Sequence, residues 1–269
     1  FYFGQHLARG AGGEAGFPVY RPNETAAQTL GFLPGAKIEL TDPAKNQFRL
    51  SCEIEGASYD LLISPTRPDP VFHGENGISK KGAAAENASH YYSYTRMTAR
   101  GTIRVGTKEH QVTGTMWLDR EWASNQLAPN QIGWDWFALQ LDSNREIMIY
   151  QLRTTGGGID PFSHGTIVQA DGTVIDLLAS DYKLTPQDYW ESPTTSAQYP
   201  IRWRLEIPKH AVDLVVTAAI ENQELALEPV TYYEGALDVK GTYDGKSLSG
   251  RGYMELTGYA NPLVQLQSK

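Results

Sequence analysis

Three carboxylates and four tryptophans crowd into residues 117–136, and their spacing defines the chemistry open to the chain. Trp117, Asp119 and Glu121 alternate with Leu118, Arg120 and Trp122, which is the period of a β-strand. The two acids therefore share one face with Trp117, while Arg120 and Trp122 take the other. Asp135 lies between Trp134 and Trp136. A carboxyl group moved from water into an aromatic cavity has its pKa raised, so it can stay protonated near neutral pH and act as a general acid. Indole faces beside it would suit a flat apolar ligand or a developing cation. The plainer alternative is that Asp119 or Glu121 pairs with a nearby arginine while the indoles fill a core. A second cluster, Asn87-Ala88-Ser89-His90-Tyr91-Tyr92-Ser93-Tyr94, sets His90 and Tyr92 either at a pocket mouth or towards solvent.

The element that must position Asp135 is a hairpin. Trp134 to Leu141 and Glu146 to Arg153 read as strands closed by the four-residue turn Asp142-Ser143-Asn144-Arg145. Pairing outward from that turn sets Leu141 opposite Glu146, Phe137 opposite Tyr150 and Asp135 opposite Leu152. One face then carries Phe137, Leu139, Leu141, Met148, Tyr150 and Leu152, with Asp135 at its end. The other carries Trp134, Trp136, Ile147 and Ile149. Neither face is polar, so the hairpin is expected to be covered on both sides.

Most of the remaining chain also reads as strand. Phe48 to Glu55 and Tyr59 to Ser64 form a hairpin over Gly56-Ala57-Ser58, and residues 65–90 read as a long loop. Tyr91 to Met97, Gly101 to Val105, Gln111 to Glu121, Gly165 to Gln169, Thr173 to Leu178, Tyr199 to Ile207, Val212 to Ile220, Val230 to Val239 and Leu248 to Thr257 follow, with Asp-Gly turns at 171–172 and 244–245. Ser180 to Trp190 is the single helical candidate. The opening Phe1 to Leu7 reads as strand and residues 8–36 as loop. An internal repeat sets Gly101-Thr-Ile-Arg-Val beside Gly235-Ala-Leu-Asp-Val, Gly114 on Gly250, Trp117 on Tyr253 and Asp119 on Glu255. The fold class expected is all-β: two antiparallel barrels related by duplication, one in residues 1–126 and one in 127–269.

Composition narrows the function. The chain has 269 residues, a net charge of −8, and 23 basic residues without a run, which argues against a nucleic-acid footprint. No stretch approaches the roughly 20 apolar residues of a membrane helix. The single cysteine, Cys52, rules out an internal disulfide and reads as a small buried apolar side chain. There is no nucleophile elbow, dinucleotide fingerprint, phosphate loop or His-Glu-X-X-His, and the six histidines lack metal-ligand spacing. No metal and no cofactor are expected. No leader is visible; the compartment stays open, with the cytoplasm favoured.

Several motifs together resemble one family. They are His73-Gly74…Gly77-Ile78-Ser79-Lys80-Lys81-Gly82, Asn87 to Ser93, Trp117 to Trp122, Gly133-Trp134-Asp135-Trp136-Phe137, Glu191-Ser192-Pro193, Gln223-Glu224-Leu225, Tyr233-Glu234-Gly235 and Gly252 to Tyr259. In this order they are similar to the carotenoid 1,2-hydratase (hydroxyneurosporene synthase), or AttH-type, family. The resemblance implies paired lipocalin-like (calycin-like) barrels, in agreement with the repeat, and hydrophobic ligands. Its activities include acyclic-carotenoid hydratases, a fungal prenylated-isoflavonoid hydratase and Diels–Alder-type cyclases of secondary metabolism. The hydratases often carry histidine where this chain has Arg120, which is too basic to exchange a proton near neutral pH.

The expectation is thus a cofactor-free lyase or cyclase acting on an isoprenoid or polyketide-like substrate. In the hydratase version Asp135, or else Asp119 or Glu121, protonates an alkene while Trp122, Trp134 and Tyr150 stabilise the cation. Trp117 and Trp136 are further candidates to line the pocket. In the cyclase version Arg120, His90 and Tyr92 hydrogen-bond an activating carbonyl. The alternative is a non-catalytic lipid or pigment carrier. A hydrophobic small molecule is the expected partner in either case, with peripheral membrane contact left open.

Overall fold

The structure is a computed structural model that describes residues 37–123, 127–226 and 231–263; the expected strand at 1–7 and the loop at 8–36 lie outside them. Seventeen strands and two short 3₁₀ turns account for the elements, and no α-helix occurs among the described residues. A seven-stranded antiparallel sheet holds β1 (Lys37–Asp42), β2 (Gln47–Ile54), β3 (Ala57–Pro65), β4 (Val71–Phe72), β5 (Ile78–Lys80), β6 (Ala88–Val105) and β7 (Lys108–Trp122). A ten-stranded sheet holds β8 (Gln131–Leu141), β9 (Glu146–Thr154), β10 (His164–Val168), β11 (Val174–Leu178), β12 (Lys183–Glu191), β13 (Gln198–Ile207), β14 (Val212–Ala218), β15 (Glu224–Ala226), β16 (Thr231–Tyr243) and β17 (Lys246–Thr257). Its order is β11-β10-β9-β8-β17-β16-β14-β13-β12, with β15 on β16. The fold is all-β and lipocalin-like, as expected. No described helix is long and apolar enough to cross a membrane.

The chain packs as two compact units. One takes in residues 72–92 and 120–263, the other 37–71 and 93–119. The division into one barrel at 1–126 and a second at 127–269 we keep as a proposal. In the larger unit the sheet curls on itself: Phe137 on β8 meets Trp203 on β13 edge to face, with ring centroids 5.4 Å apart, although three strands separate them in the sheet. Leu139, Ile149, Leu205, Leu214 and Leu237 are among the side chains sealed inside. Each such burial contributes about 1.5–3 kcal/mol.

Five sequence readings change, the last of them in the register of the internal repeat. Ser180 to Trp190 is not helical; β12 occupies most of it, with Pro186 at an irregularity of its pairing with β13. Proline has no N–H to give a helix interior, which removes that option. The 65–90 loop contains β4 and β5, and Tyr91 to Val105 lies within one unbroken strand, β6. Cys52 is half-buried beside Tyr59 rather than sealed in a core.

The fourth change concerns the central hairpin. Asn144 adopts a left-handed conformation (φ 58°), and the Leu141 N–H donates to the Arg145 carbonyl. The loop is therefore three residues, Asp142-Ser143-Asn144, not four. Pairing slips by one: Phe137 faces Ile149, Trp136 faces Tyr150 and Asp135 faces Gln151. Because side chains alternate, the slip exchanges the faces of β9 relative to β8. Asp135, Phe137, Leu139, Ile147 and Ile149 share the face that carries the core, and Trp134, Trp136, Met148 and Tyr150 share the other. Both faces are covered, as expected.

The duplication survives in backbone detail. Arg49 on β2 holds Asp60 on β3 through two guanidinium nitrogens, and Arg204 on β13 holds Asp213 on β14 the same way. Each aspartate's carbonyl then approaches a glycine on the next strand, Gly101 (φ 153°) or Gly241 (φ 157°), so closely that a Cβ would sit about 2 Å from the oxygen. Gly101 thus corresponds to Gly241, not to Gly235. The Thr102–Gln111 side-chain bond across the first hairpin and the Gly241–Leu248 pairing in the second keep Gly114 on Gly250.

Candidate active site

Asp135 is wholly buried, but it is not an isolated acid. Gln151 Nε2 donates to it at 2.7 Å, the Tyr259 hydroxyl at 2.8 Å and Arg153 Nε at 3.2 Å. The Arg153 guanidinium also lies over the Tyr259 ring, 4.0 Å from its centroid. Burial, then the Asp135 carboxylate, pushes the Tyr259 phenol well above its ordinary value. The group is a closed, charge-paired network at one end of the barrel interior.

A second group of charges lies on the opposite face of β8–β10, where residues 72–92 of the same unit cover it. Lys81 is buried, and its Nζ lies 3.2 Å from Glu121 Oε1. The ammonium sits 3.7 Å from the centroid of the Tyr150 ring and 5.2 Å from that of Tyr91. Burial alone would lower the lysine pKa, but Glu121 and Tyr150 reverse the sign and hold it above its ordinary value. Lys81 is therefore a fixed cation rather than a neutral amine.

Hydroxyls complete this cluster. Ser89 donates to Glu121 at 2.6 Å, the Tyr150 and Ser79 hydroxyls are 3.0 Å apart, and the Trp136 indole donates to the Tyr91 hydroxyl at 3.0 Å. The His73 ring packs on Tyr91 at 4.2 Å. Burial first, then the Lys81 charge, lowers the His73 pKa to about 3, so this imidazole is neutral. His164 lies 6.4 Å from the Tyr150 ring and is likewise lowered by burial. Its Nε2 is 3.9 Å from Asp176.

The predicted residues fall into separate places. Glu121, Tyr150 and Trp136 meet in the lysine cluster. Trp134 is buried and donates to Glu255 at 2.6 Å. Asp119 is exposed; it accepts from the Trp117 indole at 2.6 Å and from the Ser93 hydroxyl. Trp122 is 51 % exposed and stacks on His90 at 5.2 Å, with Tyr92 edge-on at 6.4 Å. Arg120 is half-buried on the β7 face opposite Glu121. Sequence reasoning missed Lys81, Ser79, His73 and His164 as a group. A usable signal was there: Ser79 and Lys81 alternate at strand period inside the stretch read as loop. Two open hollows on the smaller unit, one lined by Arg49, Asp60, Thr102 and Gln111 and the other by Cys52, Tyr59, Asp60 and Arg104, hold none of these residues.

A curled all-β scaffold with a charged cluster on one covered face is the frame of a lipocalin-like protein. The chain belongs to the AttH-like family, whose model matches residues 1–259. A solved structure described as AttH from Nitrosomonas europaea is similar at 32% identity and a TM-score of 0.75, over 83% of this chain and 68% of that one. Dehydratase asqC from Emericella nidulans is 23% identical over 221 residues, which is 77% of this chain and 60% of the relative. Kievitone hydratase from Fusarium solani subsp. phaseoli is 22% identical over 148 residues, 54% of this chain and 41% of the relative. The chain thus spans about two fifths to three fifths of these two curated relatives.

Proposed function

We propose that the protein is a cofactor-independent hydro-lyase that adds water to, or removes it from, a hydrophobic small molecule, with Glu121 as the proton-transferring group. The observation that carries this is the pairing of buried Lys81 with half-buried Glu121. A buried ion pair is often no more stable than apolar residues of the same volume, so its presence beside Tyr150, Ser79 and the neutral His73 favours a chemical use. The family tie supports the class of reaction, since one relative is named a dehydratase and another a hydratase. In this reading Asp135, with its three donors Gln151, Arg153 and Tyr259, is scaffold.

A specific observation favours a second reading. Asp119 is exposed, and Glu121 and Asp135 are each paired with a cation, an arrangement that a non-catalytic carrier of apolar ligands could also have. Native mass spectrometry with organic extraction, followed by incubation of the extracted compound in ¹⁸O-labelled water, separates the two. Gain or loss of one water by wild type but not by Glu121→Gln supports the hydro-lyase. A ligand that binds and is recovered unchanged supports the carrier.

A further inference from the structure

The lysine cluster also discriminates between chemical classes of substrate, an inference that rests on the hydro-lyase reading. We infer that the site takes a substrate in which negative charge develops on a carbonyl or phenol oxygen beside Lys81, rather than an isolated alkene that reacts through a carbocation. A carbocation needs aromatic faces. Two of the three rings expected to supply one have a face engaged by the chain itself. The Tyr150 face holds the Lys81 ammonium at 3.7 Å and the Trp122 face is stacked on His90, while the Trp134 ring is fixed by its N–H on Glu255. Tyr91 neighbours both the Lys81 ammonium, at 5.2 Å, and the His73 ring, at 4.2 Å. A fixed ammonium repels a cation that forms near it and stabilises an oxyanion in the same place. The Tyr150 and Ser79 hydroxyls, 3.0 Å apart, add donors to the same oxygen.

The step balances without a further reactant. In elimination the Glu121 carboxylate takes the proton from the carbon next to the carbonyl, and the C–H pair becomes the enolate double bond with its charge on the oxygen at Lys81. As the carbonyl re-forms, the carbon–carbon double bond moves over and the β C–O bond breaks. The departing oxygen takes the proton back from Glu121 and leaves as water. Hydration is the reverse, and Lys81 stays protonated throughout.

Three probes test this on the full chain. 4-Nitrophenol reports its own ionisation by the phenolate absorbance. Phenyltrimethylammonium and tert-butylbenzene differ in charge at nearly constant shape. The expected result is that bound 4-nitrophenol is held as phenolate at a pH where the free probe is mainly neutral, a preference of about tenfold for each unit its pKa falls. Lys81→Met abolishes that preference and Lys81→Arg keeps it, while phenyltrimethylammonium binds no more tightly than tert-butylbenzene. If Lys81→Met does not fold, Glu121→Gln carries the test, because removing the neighbouring anion strengthens phenolate binding. Tighter binding of phenyltrimethylammonium, or binding of 4-nitrophenol as the neutral phenol, overturns the inference and leaves the site in place. Failure of wild type to bind 4-nitrophenol and tert-butylbenzene at all overturns the inference and the site together.

Discussion

Asp135 and Glu121 are both carboxylates paired with a cation, on opposite sides of one sheet, yet their surroundings differ in kind. Asp135 accepts from Gln151, Arg153 and Tyr259, three donors converging from β9 and the chain after β17. Nothing there has to move, and a proton added to Asp135 would break the pairing. Glu121 is held by Ser89 and by Lys81, and the ammonium is shared with two aromatic rings. The lesson is that burial of a charged group does not by itself mark chemistry. A partner set that remains satisfied after a proton moves is the better sign: in the proposed step the substrate oxyanion replaces Glu121 as the anion beside Lys81 when Glu121 takes the proton.

The sharpest way to break the comparison is to neutralise each acid in turn. Glu121→Gln is expected to lower turnover per folded molecule by about 10²–10⁴-fold, the usual worth of a positioned acid or base, in addition to the stability lost by leaving buried Lys81 without its anion. Asp135→Asn is expected to lower stability alone, while turnover per folded molecule holds; steady-state rates set beside calorimetry decide. Next in size, Arg153→Met leaves Asp135 buried without its cation and should cost about 3–5 kcal/mol in a urea titration. Much of that loss should return in the double variant Arg153→Met/Asp135→Leu, which removes both charges.

A third expectation uses pH. Burial depresses the His73 pKa from 6.5 to about 3, so the folded state resists a proton that the unfolded state accepts. Its contribution to stability is whole above the unfolded value of 6.5 and is lost as pH falls towards 3, at about 1.4 kcal/mol per unit. Lys81 and His164 nearby oppose the same protonation. Denaturation midpoints followed from pH 7 down should fall over this window in wild type and less steeply in His73→Phe. The smallest effect belongs to the hairpin loop. Asn144→Val should cost about 1 kcal/mol because a β-branched residue resists the left-handed conformation, whereas Asn144→Gly should be close to neutral.

The all-β class, most strand positions and the two-sided cover of the hairpin were legible because side-chain alternation and Asp-Gly turns are local signals. Asp244 and Gly245 both have positive φ, as the sequence predicts for such a turn. Register was not legible: a three-residue and a four-residue loop have nearly the same composition, and only the left-handed Asn144 decides between them. The repeat was half legible for a related reason. The first hairpin is two residues longer on each strand, so Gly114 finds Gly250 while Gly101 misses Gly241. Within the site, Glu121, Tyr150 and Trp136 were visible as residue types at strand period. Lys81 was not, because a lysine in a glycine-rich stretch looks like surface. Its burial comes from Tyr91, Tyr150 and Glu121, which lie on three other strands.

The three-residue loop at 142–144 also bears on how this sequence can diverge. Point changes there alter stability by modest amounts, but the loss or gain of one residue would rotate β9 by one side chain. Tyr150 would leave the ammonium of Lys81 for the apolar core, and Ile149 would take its place beside a buried charge. Lineages of this chain should therefore tolerate substitution in the loop freely while its length stays invariant.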